Sequence, residues 1–340
     1  MPVHDYDGHT NSATLVESKF FGGKLMNQLI MHIGHGKTGS SYLQSVLARN
    51  RDVLARHGWT YPVHASDALA LHGKISSGNG AVIFEEDYSL SPRTIVSSES
   101  LFQQLVTDES FDAFKRRHPC SLEVVLFVRD VFECLVSTWG QAVKRGGQTA
   151  DVNAFLRQFE DFYYHKILFW MDASEKFDFK LTIRNYSNHQ IDLLETFIEA
   201  AFGAQAAGLL DDMDAGDPFK VNRSLTLAEY MLQREFNKYD PGSASYISDV
   251  LVNALPDIHA EFPFIEKDVY EHVADWAQPK VDAINDRMEQ GEIIQLESYE
   301  QLVSVMTGAA DASAESTVHF SPAQLECLVR SVAGQFSRAR

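Results

Sequence analysis

The chain has 340 residues, 45% of them apolar, and carries 29 basic against 47 acidic side chains for a formal net charge of −18. That length and apolar share suffice for one large core or two modest ones. The acidic balance argues against a nucleic-acid partner, because holding a phosphate backbone needs a basic surface.

Residues 1–24 are polar and glycine-rich and read as a loose leader, without the basic-then-apolar layout of a signal peptide. No run of 18 apolar residues suggests a membrane span. Cys120, Cys134 and Cys327 show no paired metal-ligand spacing, and so few cysteines fit a reducing compartment. The expectation is a soluble, cytoplasmic protein with no resident metal.

The apolar run Leu29 to Ile33 predicts a short buried strand. Gly34, Gly36 and Gly39 then form a turn, and Tyr42, Leu43, Val46 and Leu47 repeat at helical spacing. A strand, a glycine turn and a helix N-terminus aim several backbone N–H groups and the positive end of the helix dipole at an anion. Lys37 adds a mobile cation, and Thr38, Ser40 and Ser41 add hydroxyls, so the segment reads as a phosphate-binding loop. The nucleotide-triphosphatase pattern fits at Gly36-Lys37-Thr38, but its first glycine falls on Met31.

Further along, Thr94 to Ser98 read as a strand closed by Glu99, and Leu122 to Val128 as a central parallel strand ended by Arg129-Asp130. Phe132, Leu135, Trp139 and Val143 mark the helix that follows, with Ser137 eight positions after Arg129. Phe155 to Trp170 is rich in aromatic residues, including Tyr163 and Tyr164, and reads first as core. A strand near 179–183 precedes Arg184-Asn185-Tyr186, and the pattern after 220 is mostly helical. Strands alternating with helices predict an α/β fold, a central parallel sheet flanked by helices. The expected organisation is one domain over residues 25–300, helical from about 220, with a C-terminal helical extension over 301–340.

The run His-Ile-Gly-x-x-Lys-Thr-Gly-Ser-Ser, followed about 90 residues later by Arg129 and Ser137, resembles the phosphate sites of sulfotransferases that use 3'-phosphoadenosine 5'-phosphosulfate (PAPS). The resemblance spans roughly residues 28 to 290 and is specific at those two sites. It implies a P-loop-like sulfotransferase architecture in which Gly36, Lys37, Thr38, Gly39, Ser40, Ser41 and Tyr42 hold the 5'-phosphosulfate. Arg129 and Ser137 would then hold the 3'-phosphate, and Tyr186 would lie near the adenine. The segment from Lys220 through Asn222, Arg223 and Ser224 resembles a helix start common in bacterial members and implies further contacts to the 3'-phosphate region. Ser224 or Thr226 as a plain helix cap is the competing reading there.

Sulfuryl transfer needs a cation at the oxygen on which charge develops, and the resemblance gives that role to Lys37. It also needs a base for the acceptor proton. Glu99 is the first candidate, since strand ends line the ligand crevice of open α/β sheets; His35 is the second and His72 a third. No metal is required, with PAPS as donor and adenosine 3',5'-bisphosphate (PAP) as product. A local basic patch of Lys37, Arg129, Lys144, Lys220 and Arg223 in a negative field points to a neutral, cationic or zwitterionic small-molecule acceptor, a hydroxyl or an amine. Gln141 and Lys144 are placed to face it. The expected partners are that acceptor and at most a second copy of the chain, with neither nucleic acid nor membrane. The alternatives are an ATP-dependent small-molecule kinase and a non-catalytic nucleotide-binding protein.

Overall fold

Four apolar segments form the sheet at the centre of the computed structural model, which describes residues 20–21, 24–65, 67–71, 78–161, 163–216, 223–307 and 319–338. They are β1 (Asn27–Gly34), β2 (Arg93–Ser97), β3 (Cys120–Val128) and β4 (Lys180–Asn185), all parallel, in the order β2-β1-β3-β4. Each overlaps the strand expected from sequence, with ends moved by one or two residues. Most of the expected leader lies outside the described residues.

Parallel strands are buried on both faces, which is why these read as continuous apolar runs. The period of two still sorts the side chains. Leu29, Met31, Ile33, Val124, Leu126 and Val128 enter one core cluster, while Ile30, Ile95, Val125 and Phe127 enter a second on the other face. Truncating one of these fully buried side chains, such as Phe127, to alanine costs about 3–5 kcal/mol.

The helices that place the site follow in chain order. α1 (Ser40–Arg49) leaves β1, α2 (Glu99–Gln104) leaves β2 and α3 (Val131–Arg145) leaves β3. α4 (Tyr164–Lys176) precedes β4, and α5 (Leu193–Phe202) follows it. Among the described residues, Leu193–Asp212 is the stretch long and apolar enough to cross a membrane by length and composition. Its Leu193, Leu194, Phe197 and Ile198 are packed instead into the second cluster, beside Leu43, Val46 and Leu47 of α1.

The C-terminal part is helical: α6 (Leu227–Asn237), α7 (Ser248–Ala254), α8 (Lys267–Asn285), α9 (Tyr299–Thr307) and α10 (Pro322–Arg338). Thr226 caps α6 in a capping box with Glu229, the reading that competed with a ligand contact at this point. Gln324 of α10 donates to Glu229 at 2.8 Å. A return strap over residues 292–297 stitches this region to the sheet: Asn185 N donates to Glu292, Gln295 N donates to Asp130 and Val131 N donates to the Gln295 carbonyl, at 2.7, 2.8 and 3.0 Å.

Candidate active site

β1 and β3 are neighbours whose connections leave toward opposite edges of the sheet, so their carboxyl ends open the switch-point crevice where ligands of open α/β folds bind. A cavity of about 1250 Å3 lies there. Its floor is the glycine turn: Gly36, Lys37, Gly39, Ser40, Ser41 and Tyr42 all line it. Gly39 has φ 75° and immediately precedes α1; a Cβ there would meet Leu193 Cδ2 at 2.3 Å and Tyr186 Cε2 at 2.9 Å. Only glycine accepts both that backbone and that proximity. Thr38 instead turns its hydroxyl into the loop, donating to the His35 carbonyl at 3.1 Å.

Lys37 itself has φ 76°, a left-handed conformation that costs energy for a residue with a side chain. Two contacts hold it. Arg129 Nη1 donates to the Lys37 carbonyl at 3.0 Å, and Lys37 Nζ donates to Gln141 Oε1 at 3.3 Å. Burial lowers the Lys37 pKa below the usual lysine range; Glu99 opposes that shift, and Arg129 and Arg145 add to it.

Arg129 lies where β3 gives way to α3, with its side chain only 18% exposed. Its Nε donates to Glu133 Oε2 at 3.0 Å and its guanidinium stacks 5.2 Å from the Tyr186 ring centroid. Ser187 also donates to Glu133, at 2.9 Å. The neighbouring Asp130 takes no part in the cavity. It accepts from Asn185 Nδ2 at 2.7 Å and from Gln295 N, and so anchors the return strap. Arg129, Ser137 and Tyr186 thus line one cavity with the glycine turn, although 92 positions separate Lys37 from Arg129.

Glu99 lines the cavity beside the glycine turn, its Oε2 3.9 Å from where a Cβ on Gly36 would lie. It is the first residue of α2, two positions past the strand-ending Ser97 and directly after the N-cap Ser98, so it occupies a helix first turn rather than a strand end. Burial raises its pKa above the ordinary carboxylate value, against the pull of Lys37 and of a hydrogen bond with Ser40. Tyr163, Thr138, Gln103 and Gln141 line the same wall, and the far side is closed by Arg145, Arg223, Ser224 and residues Pro256 to Ala260.

Not every residue read from sequence reaches the cavity. His35 is 1% exposed, packed against Tyr163 and Phe102 with Nδ1 3.5 Å from Cys134 Sγ, and burial lowers its pKa to about 4. It is a core residue. Lys144 is 6% exposed and does not line the cavity; burial, with help from Lys37 and Arg145, lowers its pKa to about 8. Arg223 reaches the wall, but its guanidinium is committed to both oxygens of Glu229, at 2.7 and 2.8 Å, and to the carbonyls of Leu255 and Leu251. Lys220, Asn222 and His72 lie outside the described residues.

Three elements escape the sequence reading. Glu133 fixes the Arg129 fork, Asp249 fixes Arg145 through two 2.7 Å contacts, and residues 256–260 form the far wall. Only Glu133 left a signal, its i,i+4 spacing from Arg129 at the start of a helix. Among the described residues no cluster of His, Cys, Asp or Glu has the makings of a metal site.

No family model matches the chain, and no curated protein matches it. Among solved structures, the chain is similar to the crystal structure of a retinol dehydratase in complex with androsterone and the inactive cofactor PAP. The match covers 74% of this chain and 80% of that one, at 10% identity and a TM-score of 0.36.

Proposed function

We propose that the chain is a PAPS-dependent sulfotransferase acting on a hydroxyl or amine of a small-molecule acceptor. The observation that supports this most is the joining of Lys37 and Arg129 at the crevice between β1 and β3. A helix N-terminus, a lysine and the loop residues Gly36, Gly39, Ser40 and Ser41 suit one phosphate. A half-buried guanidinium with Ser137 eight positions on suits a second, separate phosphate. Two anion sites facing one cavity are what a nucleotide with 5'- and 3'-substituents requires. Tyr186, stacked on Arg129, offers an aromatic face beside them.

PAPS supplies an activated sulfuryl group when bound. Lys37 would supply its charge where the leaving phosphate oxygen becomes negative; burial lowers its pKa and Glu99 opposes that shift. Glu99 accepts the acceptor proton as the new O–S (or N–S) bond forms and the S–O bond to the phosphate breaks. The products are the sulfated acceptor and PAP, with the proton on Glu99 until solvent takes it. At about 1250 Å3 the cavity exceeds the usual 300–1,000 Å3 of a small-molecule pocket and leaves room for an acceptor beside the nucleotide.

The proposal includes the organisation read from sequence, one domain over 25–300 with a helical extension. It also includes a cytoplasmic setting, favoured by three free thiols. Incubation with PAPS and a panel of phenols, alcohols and amines tests it. PAP and a sulfated product should form together; PAP binding with no transfer to any acceptor class would favour a non-catalytic protein.

A further inference from the structure

The two sides of α10 differ. One is anchored: Gln324 donates to Glu229, the Ser331 hydroxyl donates to the Tyr246 carbonyl at 2.8 Å, and Leu328 packs with Ile247 and Leu251. The other side faces solvent although it is apolar. Leu325 is 50% exposed and Val329 67%, one turn apart on the helix. Beside this ridge lies a groove of about 420 Å3 between α6 and α10, lined by Leu232, Phe236, Ile247, Leu328 and Val332. A ridge and a groove side by side on one face are what a surface needs to fit a second copy of itself about a two-fold axis.

The charges along the flank of the ridge have the same property. Glu326 and Arg330 meet within the helix at 2.7 Å, yet their side chains stay largely in solvent. That contact uses one nitrogen and one oxygen, so the guanidinium and the carboxylate both have capacity left. As an exposed i,i+4 pair it contributes little to the monomer. An antiparallel copy lays the same flank alongside with its order of signs reversed.

We propose that α10 is a self-association face, through which two copies of the chain pair with their α10 helices antiparallel about a two-fold axis near Leu328 and Val329. Leu325 of each copy then lies opposite Val332 of the other and enters the end of its groove. Glu326 of each comes within reach of Arg330 of the other, so an ion pair closes the seam at either end. Pairing of this kind does not depend on what the crevice between β1 and β3 binds.

Sedimentation velocity of the full chain over a concentration series at physiological salt tests it, because that salt screens the repulsion between two copies of net charge −18. A single helix face is at the small end of specific interfaces, so the wild type should pass from monomer to dimer with a Kd on the order of micromolar. Val329→Glu changes an exposed position and should leave a monomer with an unchanged thermal melt. Glu326→Lys makes the flank wholly positive and Arg330→Glu makes it wholly negative. Each alone should weaken association by on the order of 10-fold or more, and an equimolar mixture of the two should restore it as a heterodimer. A wild-type protein that stays monomeric leaves the face to some other occupant and overturns the proposal. So does a Val329→Glu variant that still dimerises, or a mixture of the two charge variants that associates no better than either alone.

Discussion

Arg129 Nη1 and the main-chain carbonyl of Lys37 are joined by a 3.0 Å hydrogen bond, so the guanidinium expected to meet one phosphate also holds the backbone of the loop expected to meet the other. The two anion sites are mechanically one unit. Arg129→Ala should therefore do more than weaken a phosphate contact. Loss of one buried charged hydrogen bond costs about 1.5–3 kcal/mol, or roughly 10- to 100-fold in PAP affinity. Turnover should fall as well, because Lys37 loses a restraint on its left-handed backbone. Ser137→Ala, which leaves that restraint intact, should weaken PAP and PAPS yet barely affect adenosine 5'-phosphosulfate, which lacks the 3'-phosphate. Competition binding with the three nucleotides separates the two variants.

Lys37→Ala should lower turnover by roughly 100-fold or more with a smaller loss of PAP affinity, because the cation matters most as charge develops on the leaving group. Burial lowers the Lys37 pKa, so the alkaline limb of the rate profile should fall below the ordinary lysine range. Equal losses in turnover and in PAP binding would mean that Lys37 only anchors the nucleotide.

Glu99→Gln keeps the side chain's size and removes its basicity. PAP binding should survive, and turnover should drop by roughly 100- to 10,000-fold. The carboxylate is protonated as pH falls, and burial raises its pKa, so the acidic limb should lie above the ordinary carboxylate range in the wild type and vanish in the variant. Kinetics across pH 5 to 8 read both effects.

His32 and His35 make the fold acid-sensitive. Burial lowers their pKa values to about 3 and about 4, so both stay neutral in the folded state while the unfolded chain takes up protons below about 6.5. Their stabilising effect is present at neutral pH and is lost as pH falls from 6.5 toward those values. By pH 5 each removes about 2 kcal/mol. Glu297, raised to about 7 by burial, acts in the opposite direction, so the comparison of interest is between variants. The drop in melting temperature from pH 7 to pH 5 should be smaller in His35→Gln than in the wild type.

The parts of this architecture that were readable in the sequence rest on local chemistry. Apolar runs bounded by glycine or by Arg-Asp announce the strands, and Gly39 announces the sharp entry to α1. What pairs with what is not local. The Arg129 and Lys37 bond spans 92 positions, Asp130 and Gln295 are 165 apart, and the stripe holding Tyr163 looks the same whether its hydroxyl faces core or cavity. His35 shows the converse. Its place within the loop suggested a base, but the ring points away from the cavity and packs on Phe102 and Tyr163. Arg223 likewise sits in a suggestive segment, but its charge is taken up by Glu229 of α6. Lys144 belongs to the same helix face as Gln141 in register alone; one sits in the cavity wall and the other is buried behind it.

The central claim, that the crevice between β1 and β3 holds a nucleotide bearing both 5'- and 3'-phosphates, is tested most directly by thermal shift with PAP and with ATP, each with and without Mg2+. PAP should stabilise the protein without metal, by about 2.7 kcal/mol at a hundredfold excess over Kd, and ATP should do markedly less. Stabilisation by ATP that depends on Mg2+, with no response to PAP, would contradict the account and point to a kinase.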